Sequence, residues 1–355
     1  MTRTSCPRCD RMPDVPAQGG RLFLWPPLGH TADKVRVLLR RDDLPCEDRA
    51  ADGCLVIGVP DQGHAPLAAR LASVLTAAEA RDSRVLFVPG DTDPGLTQMG
   101  QVDRLETYLA REQGAWLLDL MRARRVTTLF QPIFRVDEPG RVFAHECLLR
   151  GLDPQGSPIA PTTMFDIARR ADLVFQLDKL ARTTAVATAA EKGVDTTIFI
   201  NFTPSSIYDP VSCLRTTLAA VDDAALDRAR VVFEVIETED IQDPEHLAGV
   251  LAFYRRAGFR VALDDLGGGY ATLGLLPSLR PDFVKLDRSL VHGMHADQVK
   301  AIVIERLVQL AHDLSIAVIA EGVEQAEDLD WLKRHDVDYV QGYLLARPAP
   351  GPWRP

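Results

Sequence analysis

The sequence predicts an α/β protein: a (β/α)8, TIM-like barrel over residues 126–350, preceded by a small α/β domain over 21–100 and a connecting helix over 101–125. Three observations carry this expectation. From Thr127 onward, short apolar runs alternate with helical stretches. Eight strand candidates fall in that part of the chain, the number a closed barrel uses. The candidates before Thr127 form a shorter alternation of their own, set apart by a long amphipathic stretch. An open doubly wound sheet would satisfy the same alternation, so the barrel does not rest on pattern alone.

Residues 1–20 are poor in apolar side chains and hold Pro7, Pro13, Pro16, Gly19 and Gly20, which reads as a loose arm. Arg21–Trp25 is a strand candidate stopped by Pro26 and Pro27. Thr31–Arg41 reads as a helix with Thr31 as its N-cap. Cys54–Val59 is an apolar strand, Ala65–Arg81 an alanine- and leucine-rich helix, and Val85–Val88 a strand closed by Pro89-Gly90. From Val102 to Arg125, Val102, Leu105, Leu109, Trp116 and Leu120 recur at helical spacing, predicting one amphipathic helix. It either packs on its own domain or serves as a lever or dimer helix. The barrel strands are then Leu129–Val136, Phe143–Leu149, Thr197–Asn201, Val231–Val235, Phe259–Leu263, Phe283–Leu286, Ala317–Ala320 and Tyr339–Tyr343. Helices at Met164–Ala171, Leu177–Glu191, Pro244–Ala257, Asp297–Leu314 and Ala326–His335 separate most of them.

Composition narrows the function. Hydrophobic residues make up 46% and charged residues 25%, so the chain is globular. The net charge of -10 offers no general basic surface, which excludes duplex nucleic acid as a natural partner. No apolar run approaches the roughly 18–20 residues that span a bilayer, so no membrane association is expected. Met1–Pro13 lacks the apolar core of a secretory signal, and six cysteines make no disulfide scaffold. The expectation is a cytoplasmic protein with reduced thiols.

Polar residues at the strand ends carry the chemistry. Glu146 ends the second strand, Asn201 the third, and Glu234 and Glu237 follow the fourth. Asp264 and Asp265 end the fifth, Lys285 and Asp287 the sixth, Glu321 and Glu324 the seventh, and Gln341 the eighth. In a parallel barrel these ends converge on one face. Carboxylates so close cannot all stay ionised without a counter-charge; some protonate, or a cation enters. Oxygen ligands with an amide suit Mg²⁺ or Mn²⁺, and no His or Cys stands among these positions to suggest zinc. Consecutive strand residues point to opposite sides, so Asp264 and Asp265 can share a site only if the backbone turns there. The glycines at 267–269 permit that turn. Two ions roughly 4 Å apart are an established device for phosphoryl chemistry.

These motifs resemble the EAL domain, a (β/α)8-barrel phosphodiesterase that linearises cyclic di-GMP to pGpG. Glu146-Cys147-Leu148 occupies the signature tripeptide, within an E-x-L-x-R pattern completed by Arg150. Further matches are Phe130-Gln131-Pro132-Ile133, Asn201, Glu234 with Glu237, Asp264-Asp265, Lys285-Leu286-Asp287-Arg288-Ser289, Ala320-Glu321-Gly322-Val323-Glu324 and Gln341-Gly342-Tyr343. The resemblance implies two Mg²⁺ or Mn²⁺ ions. Glu146, Asn201, Glu234 and Asp264 would hold the first, with Asp264 bridging and Asp265 on the second. Lys285 would orient the attacking water, Glu321 would act as general base or through a water, and Gln341 would hold a water of the metal site. Glu237 would support the loop after Asp265. Gln131, Leu148, Arg150, Asp287 and Glu324 would line the substrate site, with the Arg150 guanidinium suited to phosphate or guanine. A homodimer through the EAL domain is implied as well.

The sequence departs from the family after the aspartates, where D-F-G-T-G-Y-S-S is usual. Here the run is Asp265-Leu266-Gly267-Gly268-Gly269-Tyr270-Ala271-Thr272. Three successive glycines raise the ordering cost, which predicts low basal activity that depends on the N-terminal domain or on dimerisation. That leaves a rival of a different class, a non-catalytic cyclic di-GMP receptor that signals through an unknown protein partner. In the arm, Cys6-Pro7-Arg8-Cys9 is either a pair of free thiols or half of a structural Zn²⁺ site. Cys46 and Cys54 could complete the set, at untypical spacing. The order of strands before Thr127 is faintly similar to a shortened GGDEF domain, but G-G-D-E-F itself is missing. A sensory or regulatory role is expected from position alone.

Overall fold

A computed structural model describes residues 12–13, 16–235, 243–267, 274 and 276–354. Cys6, Cys9 and Glu237, and the loop residues from Gly268 to Thr272, lie outside the described residues. The chain divides into two compact units. One comprises the described residues up to Arg124 with Pro161–Leu177; the other comprises Arg125–Ala160 and Asp178–Pro355.

The smaller unit is built on an antiparallel sheet of β1 (Gly20–Trp25), β2 (Cys46–Arg49), β3 (Cys54–Val59), β4 (Arg84–Pro89) and β5 (Asp103–Arg104), in the order β2-β3-β1-β4-β5. Strand alternation sorts its side chains. Leu22, Leu24, Leu55 and Ile57 pack with Val35, Leu38, Leu67, Leu71, Leu105 and Leu109 of the helices. Phe23, Cys54, Val56, Leu86 and Val88 form a second cluster on the other face.

Three expectations for this unit need correction. The first helix spans Gly29–Arg41 with Leu28 as N-cap; Thr31 lies inside it, buried, donating to Glu79 Oε1 at 3.1 Å. The predicted Ala65–Arg81 helix is two, His64–Val74 and Ala77–Asp82. Thr76 caps the second by accepting from Glu79 N–H at 3.2 Å while the Glu79 carboxylate accepts from Thr76 N–H at 2.9 Å. The connecting helix also breaks, at Gly114, into Leu105–Gln113 and Ala115–Arg122. A Cβ at 114 would stand 2.4 Å from Ile167 Cγ2, so this close approach needs glycine. Strand β2 escaped the sequence reading because Cys-Glu-Asp-Arg has no apolar pattern; it is an exposed edge strand.

The larger unit is a closed eight-stranded barrel. Its strands are β6 (Val126–Arg135), β7 (Val142–Leu152), β9 (Thr197–Phe202), β10 (Val231–Val235), β11 (Arg260–Leu266), β12 (Phe283–Leu286), β13 (Ala317–Ala320) and β14 (Tyr339–Val340). The order is β6-β14-β13-β12-β11-β10-β9-β7, and β6 pairs with β7 to close it; β8 (Pro158–Ile159) is added outside β7. All eight predicted strands are present. One differs in direction from the all-parallel TIM arrangement: β6 runs antiparallel to both β7 and β14. The reason is connection length. Only residues 136–141 join β6 to β7, enough for a hairpin and too few for the crossover that parallel pairing demands.

Candidate active site

Seven of the eight strands obey one register rule at the barrel mouth. Ala144, Phe199, Val232, Ala262, Phe283 and Ile319 form part of one apolar cluster in the barrel, with Tyr339 packed against it. Two residues further along each strand, on the same face, stand Glu146, Asn201, Glu234, Asp264, Lys285, Glu321 and Gln341. The eighth strand obeys the rule in reverse. Because β6 is antiparallel, Gln131 stands two residues before Ile133, directly opposite Glu146 in the β6–β7 ladder. An apolar floor and a polar rim are thus written into the same alternation.

Lys285 lies at the centre of the rim. It is 1% exposed. Its Nζ stands 2.5 Å from Glu321 Oε1, 3.1 Å from Glu234 Oε1, 3.3 Å from Asp264 Oδ1 and 3.4 Å from Glu146 Oε2. One ammonium therefore faces four carboxylates. Burial alone would push that ammonium's pKa down, but Asp264, Glu146, Glu234 and Glu321 outweigh it and hold it well above its usual value. Glu146 is also desolvated, yet Lys285 and the hydrogen bonds from Asn201 Nδ2 (3.0 Å) and Gln341 Nε2 (2.8 Å) hold it below the usual carboxylate range. Glu234, Asp264 and Glu321 go the other way. Burial, reinforced by the neighbouring carboxylates, pushes each of them up despite Lys285.

The turn that the adjacent aspartates require is present. The β11–β12 register shifts between Leu263 and Leu266, and Asp265 has φ 56°, in the left-handed region. Asp264 Oδ1 accepts from the Asp265 N–H at 3.0 Å. With the backbone turned, Asp264, Asp265 and Glu321 each offer an oxygen within 4.8 Å of the others, a spacing that could hold a metal ion. Glu234 supports the same reading. It is fully buried, and among the described residues neither of its oxygens accepts a hydrogen bond; buried Gln341 Oε1 also lacks a partner. Oxygen atoms that accept no hydrogen bond, beside four carboxylates that share one ammonium, fit a hard divalent cation.

The expected substrate residues are more scattered in role. Gln131 is buried, with Nε2 3.5 Å from Ala346 O, and Leu148 and Arg150 are partly exposed along β7. Arg150 Nη1 donates to its neighbour Leu149 O at 2.7 Å. Asp287 caps the short helix Arg288–Val291 by accepting from Ser289 N–H at 2.8 Å. Glu324 accepts from Arg288 at 3.1 and 3.2 Å. Arg288, whose motif by itself implies no role, is the partner of Glu324. It packs over Gly322, where a Cβ would meet its side chain at 2.3 Å.

Fold and rim together define an α/β-barrel protein with a lysine-centred acidic site at the strand ends. The EAL domain family model matches residues 115–348, and the chain belongs to that family. It is 32% identical over 233 residues to the probable cyclic di-GMP phosphodiesterase PdeG of Escherichia coli K12, covering 63% of this chain and 45% of that protein. It is 28% identical over 226 residues to the cyclic di-GMP phosphodiesterase PdeR of the same organism, covering 62% and 33%. The chain thus spans less than half the length of these curated relatives. Among solved structures, a standalone versatile EAL protein from Vibrio cholerae O395 in its c-di-GMP-bound form is 34% identical, with TM-score 0.58 over 63% of this chain and 92% of that one. An EAL domain protein from Listeria monocytogenes EGD-e is 27% identical, with TM-score 0.59 over 67% and 93%.

Proposed function

We propose that the chain hydrolyses cyclic di-GMP to linear pGpG at the barrel mouth, with two Mg²⁺ or Mn²⁺ ions. The observation that carries this reading is the gathering of Glu146, Glu234, Asp264 and Glu321 around Lys285, with Asp265 turned to join them. Glu146, Asn201, Glu234 and Asp264 would hold one ion and Asp265 the other, with Gln341 steadying the set and Glu237 supporting the loop. Bound there, such ions supply Lewis-acid stabilisation of phosphoryl charge. Lys285 orients the attacking water and offsets charge on the phosphate. Glu321, whose carboxyl is pushed up, accepts a proton more readily than an ordinary glutamate does. Gln131, Leu148 and Arg150 line the approach of the substrate. Asp287 and Glu324 support the rim through their present partners and contact the nucleotide by releasing them.

The substrate is a dianion entering a net-negative pocket, so turnover requires divalent metal. Calcium binds with looser geometry and fails to support it. The test is purified protein with cyclic di-GMP and Mn²⁺, Ca²⁺ or chelator, followed for pGpG by chromatography. Product in Mn²⁺ alone is expected; metal-independent product overturns the reading, and binding without product in Mn²⁺ favours the receptor alternative. We further propose that a second copy of the chain pairs along the helix Gln298–Asp313. This helix leaves Val299 72% and Ile302 50% exposed, with Val303 and Leu310 beside them. Regulation by residues 21–100 belongs to the same proposal.

A further inference from the structure

A buried ion pair lies outside the acidic rim. Asp178 and Arg182 stand one turn apart on the helix Val174–Glu191, and their side chains are each 2% exposed. Arg182 Nε donates to Asp178 Oδ2 at 2.8 Å, and Arg182 Nη1 donates to Thr217 Oγ1. A buried ion pair is weak evidence of stability, because apolar side chains of similar volume often serve a fold as well. What a carboxylate adds is hydrogen bonding at fixed points.

Asp178 uses both oxygens on the chain just beyond β9. Oδ1 accepts from the Thr203 N–H at 2.8 Å, and Oδ2 accepts from Ser206 Oγ at 2.8 Å. The β9–β10 ladder ends at Phe202, so Asp178 takes hold of the backbone at the next residue. Asn201 stands two residues before Thr203, with its Nδ2 on Glu146 Oε1 at 3.0 Å. The chain of contacts is continuous from Arg182 to Asp178, to the turn at 203–206, to Asn201 and to Glu146.

We propose that Asp178, braced by Arg182, is a positioning residue that fixes the turn after β9 and so holds Asn201 against Glu146 for metal binding. This rests on the reading of Asn201 as a ligand given above. Asp178→Asn would leave the Arg182 guanidinium buried without its counter-charge and endangers folding for that reason alone. Ser206→Ala and Thr217→Val avoid this: each removes one hydrogen bond from the same pair, but only Ser206 lies on the turn that follows Asn201. Mn²⁺ binding to the full chain is measured by calorimetry, with thermal unfolding in chelator alongside. Ser206→Ala is expected to weaken Mn²⁺ binding about tenfold, and Ser206→Thr to restore it, as for groups that orient a ligand from behind. Thr217→Val is expected to lower Tm while binding Mn²⁺ as the wild type does. Equal weakening in both variants, or none in Ser206→Ala, overturns the positioning role. Asn201→Ala separates the two readings. If it leaves Mn²⁺ affinity unchanged, or the wild type binds no Mn²⁺, the ligand assignment fails and the positioning role with it. If Asn201→Ala weakens binding and Ser206→Ala does not, only the positioning role fails.

Discussion

Glu234 bears most of the strain of gathering the rim. Its carboxylate is fully buried, its oxygens accept no hydrogen bond among the described residues, and burial pushes its pKa up. Glu234→Gln keeps the shape and removes the charge. In chelator this variant should be more stable than the wild type, by about 1–2 kcal/mol, because Lys285 keeps three carboxylate partners while the crowding of a fourth buried acid against them is relieved. Mn²⁺ at 100 times its Kd should stabilise the wild type by about 2.7 kcal/mol and the variant by much less. Thermal unfolding with and without Mn²⁺ checks both; a variant weaker than the wild type in chelator contradicts the account. Glu112, in the smaller unit, gives a separate pH dependence. It is 7% exposed, and burial pushes its carboxyl up to about 7. The folded state then keeps a proton that the unfolded chain gives up above its ordinary pKa near 4.5. Stability from this group is full below about 4.5 and is lost as pH rises to about 7, a change of up to about 3 kcal/mol. Glu112→Gln should flatten that slope and raise Tm at pH 8. At this scale the acids were legible, since each ends a recognisable strand. The convergence of four of them on Lys285 was not, because it depends on distances across strands.

Strand β11 shows what a single element contributes. The sequence required a turn at the adjacent aspartates, and the register shift with Asp265 at φ 56° supplies it. The seam between β13 and β14 is as demanding. A Cβ at Gly342 would lie 2.0 Å from Val323 O, a backbone atom that cannot swing away. Gly342→Ala should therefore displace Gln341, lose its hydrogen bond to Glu146 and destabilise the protein by about 1–3 kcal/mol or more. Urea unfolding measures the loss, and an unchanged midpoint would mean the seam opens freely. Helix ends were less legible than strands. The Thr76–Glu79 capping box lay within an alanine-rich run whose composition favours helix throughout. The break at Gly114 follows from Ile167, distant in sequence, closing on it.

For the whole molecule, the exposed apolar stripe on Gln298–Asp313 makes association testable. Val299→Glu with Ile302→Glu should convert a dimer to a monomer in light scattering and remove any dependence of Tm on protein concentration, since both side chains face outward. A wild type that is monomeric at all concentrations would refute the pairing. Among the described residues no helix is long and apolar enough to cross a membrane.

The primary structure determined eight strand candidates, the helices between most of them and the polar residue that ends nearly every strand. Those features are local: alternation with period two needs only neighbours along the chain. The closed barrel, the reversed first strand and the choice of Lys285 as the common neighbour of four acids belong to the tertiary structure. Each depends on which strands lie side by side, and pairing across a sheet is decided by connection length and packing between residues far apart in the chain.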